Sequence, residues 1–186
     1  MKKLLSLMIA LCLLCVSTAF AVRRTATGEP LVTDDFTLAL DAGMPYELYT
    51  KRNGQALLVV YPYDDEQRSE ITEFCFYWWG GPFTISADRL NNDMETAKKE
   101  AYEMYDGTNI TVDSAEITFA VEGTLCGEPY ISRDICTRIS RGSDSATMIE
   151  RQYFIGSKGY MLTMTADDPE KLDQMEDLIS GCLTWN

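Results

Sequence analysis

The chain has 186 residues, of which 29 are Asp or Glu and 16 are Lys or Arg; it contains no histidine, and its formal net charge is −13. A field of that sign repels phosphate backbones and anionic headgroups, so nucleic acid is disfavoured as a partner while basic proteins, cations and neutral ligands stay open. The missing histidine removes the commonest general base and every Ser-His or Cys-His nucleophile arrangement.

The chain opens with Met1-Lys2-Lys3, an apolar run from Leu4 to Val16, and Ala19-Phe20-Ala21, which is the three-part layout of a signal peptide cut after Ala21. The run is shorter than the roughly 20 apolar residues of a membrane span, and Arg23 and Arg24 follow at once, so the mature chain is expected to have no transmembrane segment. Cys12 and Cys15 lack the small preceding residue of a lipid-attachment cysteine. The expected organisation is therefore a signal peptide over 1–21, a flexible leader over 22–35 with Gly28, Pro30 and Asp34-Asp35, and one domain over 36–186. Location follows as secreted, or on the exterior of the cell envelope.

Phe36, Leu38 and Leu40 alternate with polar or small neighbours and predict a half-buried strand. A second strand at 46–51 leads into Asn53-Gly54, a strong hairpin signal, with a returning strand at 57–61. After the charged connection 64–70, Thr72, Phe74, Phe76 and Trp78 fall on one face of a strand over 71–79. Its other face is also apolar, which predicts a central position in a sheet covered on both sides. A helix is expected over 88–106, from the stripe of Leu90, Met94, Ala97, Ala101, Met104 and Tyr105, with Gly107 as its C-terminal stop. Strands at 115–121, 130–139, 146–155 and 160–165, each bounded by Gly, Ser or Asp, imply an antiparallel meander. Asp168-Pro169-Glu170 then starts a last helix carrying Leu172, Met175, Ile179 and Cys182, closed by Gly181.

The run Arg151 to Ile155, the turn Ser157-Lys158-Gly159, the strand Tyr160 to Thr165 and the closing segment Ile179 to Trp185 resemble the C-terminal end of the PsbP/Mog1-like superfamily, whose bacterial members include DcrB-type secreted proteins. The likeness covers 36–185 in element order, with recognisable wording only in 151–185. It implies an α+β fold, an antiparallel β-sheet sandwiched by helices, and a non-enzymatic accessory or binding role. The four mature cysteines and the segment Tyr77-Trp78-Trp79-Gly80-Gly81 depart from the family pattern, and no binding surface is carried over.

Cys75, Cys126, Cys136 and Cys182 are an even set in an exported chain and favour two disulfides, the pairing being open among three connectivities. A straight strand over 129–139 would hold Cys126 and Cys136 apart and favour long-range bridges using Cys75 and Cys182. Zinc is unsupported without histidine or a Cys-x-x-Cys pair. Asp64-Asp65-Glu66 and Asn91-Asn92-Asp93 with Glu95 offer oxygen ligands, but they lack calcium-loop spacing and read as a solvated loop and a helix start. Asn109-Ile110-Thr111 matches a glycosylation acceptor, read as chance because the Met-Lys-Lys start is of the bacterial kind.

The most functional-looking stretch is Tyr77, Trp78, Trp79 and Phe83 around Gly80-Gly81-Pro82, a candidate stacking platform for sugar, peptide or lipid; the competing reading places these rings in the core. A carboxylate pair such as Glu70 with Glu73 would support a histidine-free hydrolase only in a cleft that drives their pKa values apart. The sequence thus reads as a binding or accessory module without a cofactor, its partner an unknown protein or small extracellular ligand. A carbohydrate or lipid binder using 77–83 is the first rival and the hydrolase the second.

Overall fold

Long runs of β-branched and aromatic residues dominate the second half of the chain, and on a pleated surface such side chains pack best against their cross-strand neighbours. In the structure, a computed structural model describing residues 21–49, 57–62 and 73–186, these runs become β9 (Glu128–Arg141), β10 (Asp144–Ile155) and β11 (Tyr160–Ala166). Each pairs antiparallel with the next. To one side β11 pairs with β6 (Glu73–Trp78), which leads through β5 (Leu57–Val60) and β4 (Pro45–Tyr49) to β1 (Ala21–Thr25). To the other, β9 pairs with β7 (Thr111–Ile117) and also with β8 (Val121–Leu125), so nine described strands form one antiparallel sheet. A second sheet of three described strands has β3 (Phe36–Leu38) between β12 (Leu183–Trp185) and β2 (Leu31–Val32).

The helices are short: α1 (Ala87–Asn92), α2 (Met94–Glu103) and α3 (Pro169–Cys182). The expected α+β sandwich, with helical layers on both faces of the sheet, is therefore not what forms. The protein is β-rich and mostly antiparallel sheet. The helix expected over 88–106 breaks at Asp93, where φ −97° and ψ 6° leave the helical region. Asn91, Asn92 and Asp93 are weak helix formers whose side chains compete for backbone hydrogen bonds; the Asn91 Oδ1 accepts from the Ala120 N–H at 2.7 Å instead. The last helix starts where the sequence marks it, Asp168 accepting from the Glu170 N–H at 2.7 Å with Pro169 in the first turn, but it runs through Gly181 to Cys182.

The core lies between one face of the sheet and α3. Leu58, Val60, Phe74, Phe76, Tyr153, Ile155, Leu162 and Met164 meet Leu172, Met175 and Ile179, all essentially excluded from water. Arg151 fastens this helix: its guanidinium binds Asp134 on β9 and reaches Asp173 and Glu176 on α3 at 2.9 and 3.2 Å, while the Tyr153 hydroxyl donates to Glu176 at 2.6 Å. Residues 22–35, read as a leader, supply β2 and most of β1, and the Tyr160 hydroxyl donates to Asp35 at 2.7 Å. Phe36 stacks on Phe76 at 4.8 Å and meets Tyr160 and Trp185 edge-on, joining the small sheet to the large one.

β6 lies between β5 and β11, and its outer face carries Cys75 and Tyr77 against Val59 and Tyr61. In this structure Cys75, Cys126, Cys136 and Cys182 stand as free thiols, and no two described cysteines lie at disulfide distance. Cys75 lies on that outer face, whereas Cys136 sits opposite Ile149 on the core face of β9, three strands away. Three strand spacings come to about 14 Å, beyond the Cα separation a disulfide spans. Two disulfides that include Cys75 and Cys136 as a pair are thus ruled out by the register. Residues 1–20 of the signal peptide expected over 1–21, the Asn53-Gly54 turn, Asp64-Asp65-Glu66 and Glu70 lie outside the described residues.

Candidate aromatic ledge and cleft

Alternation along β6 sends Phe74, Phe76 and Trp78 to the core face and Cys75 and Tyr77 to the other. Trp78 packs against the main core, and Tyr77 packs beside Val59 and Cys75, so two of the four predicted aromatics are structural. Trp79 is different. It is 52% exposed, and among the described large apolar side chains only Phe119, Val32 and Val121 are more so. Its ring is nevertheless held. Phe83 lies tilted against it at 4.9 Å between centroids, and buried Phe154 meets it edge-on at 6.1 Å.

What fixes these rings is backbone contact with the β10–β11 turn. The Trp79 N–H donates to the Gly159 carbonyl and the Phe83 N–H to the Gly156 carbonyl, both at 2.9 Å. The approach is close enough that a Cβ on Gly159 would stand 2.5 Å from the Gly81 carbonyl, and one on Gly156 would collide with the Phe83 carbonyl oxygen. Glycine at both positions is therefore a condition for the aromatic segment to lie against the turn.

Beside this ledge opens a cleft of about 360 Å³, lined by Phe83, Thr84, Ile85 and Phe154 on one side and by Glu122, Gly123, Tyr130 and Ile131 of the β8–β9 hairpin on the other. Phe83 and Phe154 belong to both ledge and cleft, which puts Trp79 at its rim. The far rim is tied down by Glu128, which accepts from the Ser157 hydroxyl at 2.8 Å and pairs with Lys158 at 3.3 Å. The Ser157 hydrogen bond, with the Lys158 ammonium, holds the Glu128 carboxyl below its ordinary pKa.

Arg133 runs behind Phe154, its guanidinium carbon 5.8 Å from the ring centroid, within cation–π range. Its Nε donates to Gln152 at 2.9 Å, and Gln152 in turn donates to Glu150 at 2.6 Å. The outer face thus carries a polar chain from Arg133 to Glu150, which neighbours Glu73 across β11. Burial first, then the charges of Glu150 and Glu47, push the Glu73 carboxyl up to about 7. Burial likewise raises Glu150.

Phe154, Arg133, Gly156 and the hairpin wall were not singled out by sequence. Phe154 and Arg133 sit in ordinary strand alternation, and only the turn pattern Ser157-Lys158-Gly159 marks the neighbourhood. Glu122 is the one carboxylate among the described residues lining the cleft, and Glu73 does not line it. No group of three His, Cys, Asp or Glu side chains suited to a metal ion occurs among the described residues. Among the same residues, no helix is long and apolar enough to cross a membrane. In comparison with known proteins, the sequence matches no family model and no curated protein.

Proposed function

We propose that this is an exported binding module whose ligand seat is the Trp79 ledge and the adjoining cleft, and that the ligand class is neutral carbohydrate. The observation that carries this reading is an indole that is half exposed yet braced by Phe83, Phe154 and two backbone hydrogen bonds. A solvent-facing ring held in place loses little entropy on stacking, which is how aromatic side chains earn affinity at recognition sites. Sugar rings offer the complementary features: an apolar C–H face for the indole, and hydroxyls for Thr84, Ser157 and the Glu122 carboxylate around the cleft. Neutrality of the ligand agrees with a chain whose net charge is −13.

The magnitude is modest and measurable. Covering the exposed half of a Trp that offers roughly 200 Å² removes about 100 Å² from water, worth about 2.5 kcal/mol. Trp79→Ala is therefore expected to weaken binding by about 60-fold without lowering stability, because the ring contributes little to the core. The test is isothermal titration of the mature protein with a panel of neutral oligosaccharides, read alongside tryptophan fluorescence. Binding that survives unchanged in Trp79→Ala, or no binding across the panel at millimolar sugar, overturns the assignment.

A further inference from the structure

We propose that Cys126 and Cys182 form a disulfide in the mature protein, tethering the tip of the β8–β9 hairpin to the C-terminal end of α3. Leu125 and Glu128 face each other across β8 and β9, so Cys126 and Gly127 make a two-residue hairpin turn. Both have positive φ, 53° at Cys126 and 83° at Gly127, and Cys126 is the one non-glycine residue in the left-handed region among those described. Turns of this kind favour Asn-Gly or Gly-Gly, since a Cβ at positive φ is sterically costly. A cysteine in that place points to a task for its side chain.

The side chain is aimed at α3. Cys126 Sγ lies 3.7 Å from the Ile179 carbonyl oxygen, the same oxygen that accepts the Leu183 N–H at the helix end. Cys182 is the last residue of that helix, three positions on from Ile179, hence about one turn away on the same side. Both cysteines belong to the main core: Cys182 is buried in it and Cys126 packs against it.

The other two cysteines are excluded as partners by the sheet. Cys75 faces the opposite side with Val59, and Cys136 lies eight residues along β9 from its start at Glu128, about 26 Å in an extended strand. The pairing left open by sequence is thereby reduced to one.

The chemistry needs an external oxidant, a low-molecular-weight disulfide such as oxidised glutathione. The half-buried Cys126 thiolate attacks one sulfur of that disulfide, whose S–S bond breaks and releases one thiolate. The Cys182 thiolate then attacks the Cys126 sulfur of the mixed disulfide and expels the second. Two protein thiols are oxidised, one small disulfide is reduced to two thiols, and the two protons pass to the released thiolates.

The test equilibrates the full mature chain with oxidised and reduced glutathione, alkylates the remaining thiols and maps tryptic peptides. The expected result is a reducible cross-link between the peptides 100–133 and 172–186, with Cys75 and Cys136 alkylated. A 57-residue closed loop should lower the melting temperature by about 10 °C when it is reduced. Cys126→Ser is expected to abolish that reductant dependence, and Cys136→Ser to leave it intact. Full alkylation of Cys126 and Cys182 under oxidising conditions, or a cross-link to Cys75 or Cys136, overturns the proposal. The peptide map reads this even for a variant that folds poorly, because it is made on the unmodified chain.

Discussion

Glu73 lets the charge on the outer face of the sheet be tested with one atom exchange. Its carboxyl is pushed from 4.5 up to about 7, chiefly by burial and then by Glu150 and Glu47. Glu150 faces Thr165, and Thr165 faces Glu73, so the two acids share a row across β10, β11 and β6. Because the folded-state pKa lies above the unfolded one, the folded protein holds this proton more tightly. Its stabilising contribution is complete below about pH 4.5, fades as pH rises and is gone above about pH 7. A difference of 2.5 units at about 1.4 kcal/mol each makes the loss about 3 kcal/mol. Glu73→Gln keeps shape and neutral hydrogen bonding and removes the titration. Urea unfolding between about pH 5 and about pH 8 should show wild-type stability falling relative to the variant, which gains up to about 3 kcal/mol at the alkaline end. Glu150 is raised in the same direction, so a slope of the same sign persists in Glu73→Gln and disappears with Glu150→Gln added. Parallel profiles for wild type and Glu73→Gln across this range would refute the argument.

Gly159→Ala meets both a positive φ of 72° and the Gly81 carbonyl, so it should cost about 1–3 kcal/mol and displace the Trp79 ledge. A red or blue shift of the indole emission together with lost sugar affinity checks it, whereas an unshifted spectrum counts against the turn as the support of the ledge. Arg151→Met removes the guanidinium that joins Asp134 on β9 to Asp173 and Glu176 on α3, and all three carboxylates lose that counter-charge. A loss of about 2 kcal/mol is expected, discounted for the exposure of Asp173, with an unchanged denaturant slope in urea unfolding.

Elements whose cause is local were legible in the sequence. The start of α3 follows from Asp168 as cap and Pro169 in the first turn, and the central place of β6 follows from its two apolar faces. Elements whose cause lies elsewhere in the chain were not. β1 exists through its pairing with β4, β12 through its pairing with β3, and neither segment has periodicity of its own. The helical layers failed for a related reason. An apolar stripe over 88–106 says that a helix packs on something, but Asn91-Asn92-Asp93 divides it, and nothing local tells how far β9 and β10 extend. The site divides in the same way: Trp79 and Phe83 announce themselves as aromatics beside glycines, while Phe154 joins them only through the register of β10 on β11 and β11 on β6.

That division bears on how the cleft is built. One wall is the aromatic segment, pressed onto the β10–β11 turn where Gly156 and Gly159 admit it. The other is the β8–β9 hairpin, where Gly123 leaves room for the Tyr130 ring, whose Cζ would stand 2.5 Å from a Cβ at that position. Glu128, at the start of β9, ties this hairpin to Ser157 and Lys158 of the very turn that supports the first wall. Both walls therefore depend on residues 156–159, and the opening between them is set before any ligand arrives. A preformed seat loses little ordering entropy on binding, so affinity for even a small neutral ligand can rest on a single stacked ring. The hairpin tip is also where Cys126 reaches α3, so closing the Cys126–Cys182 bridge would anchor the second wall to the core as firmly as glycine packing anchors the first.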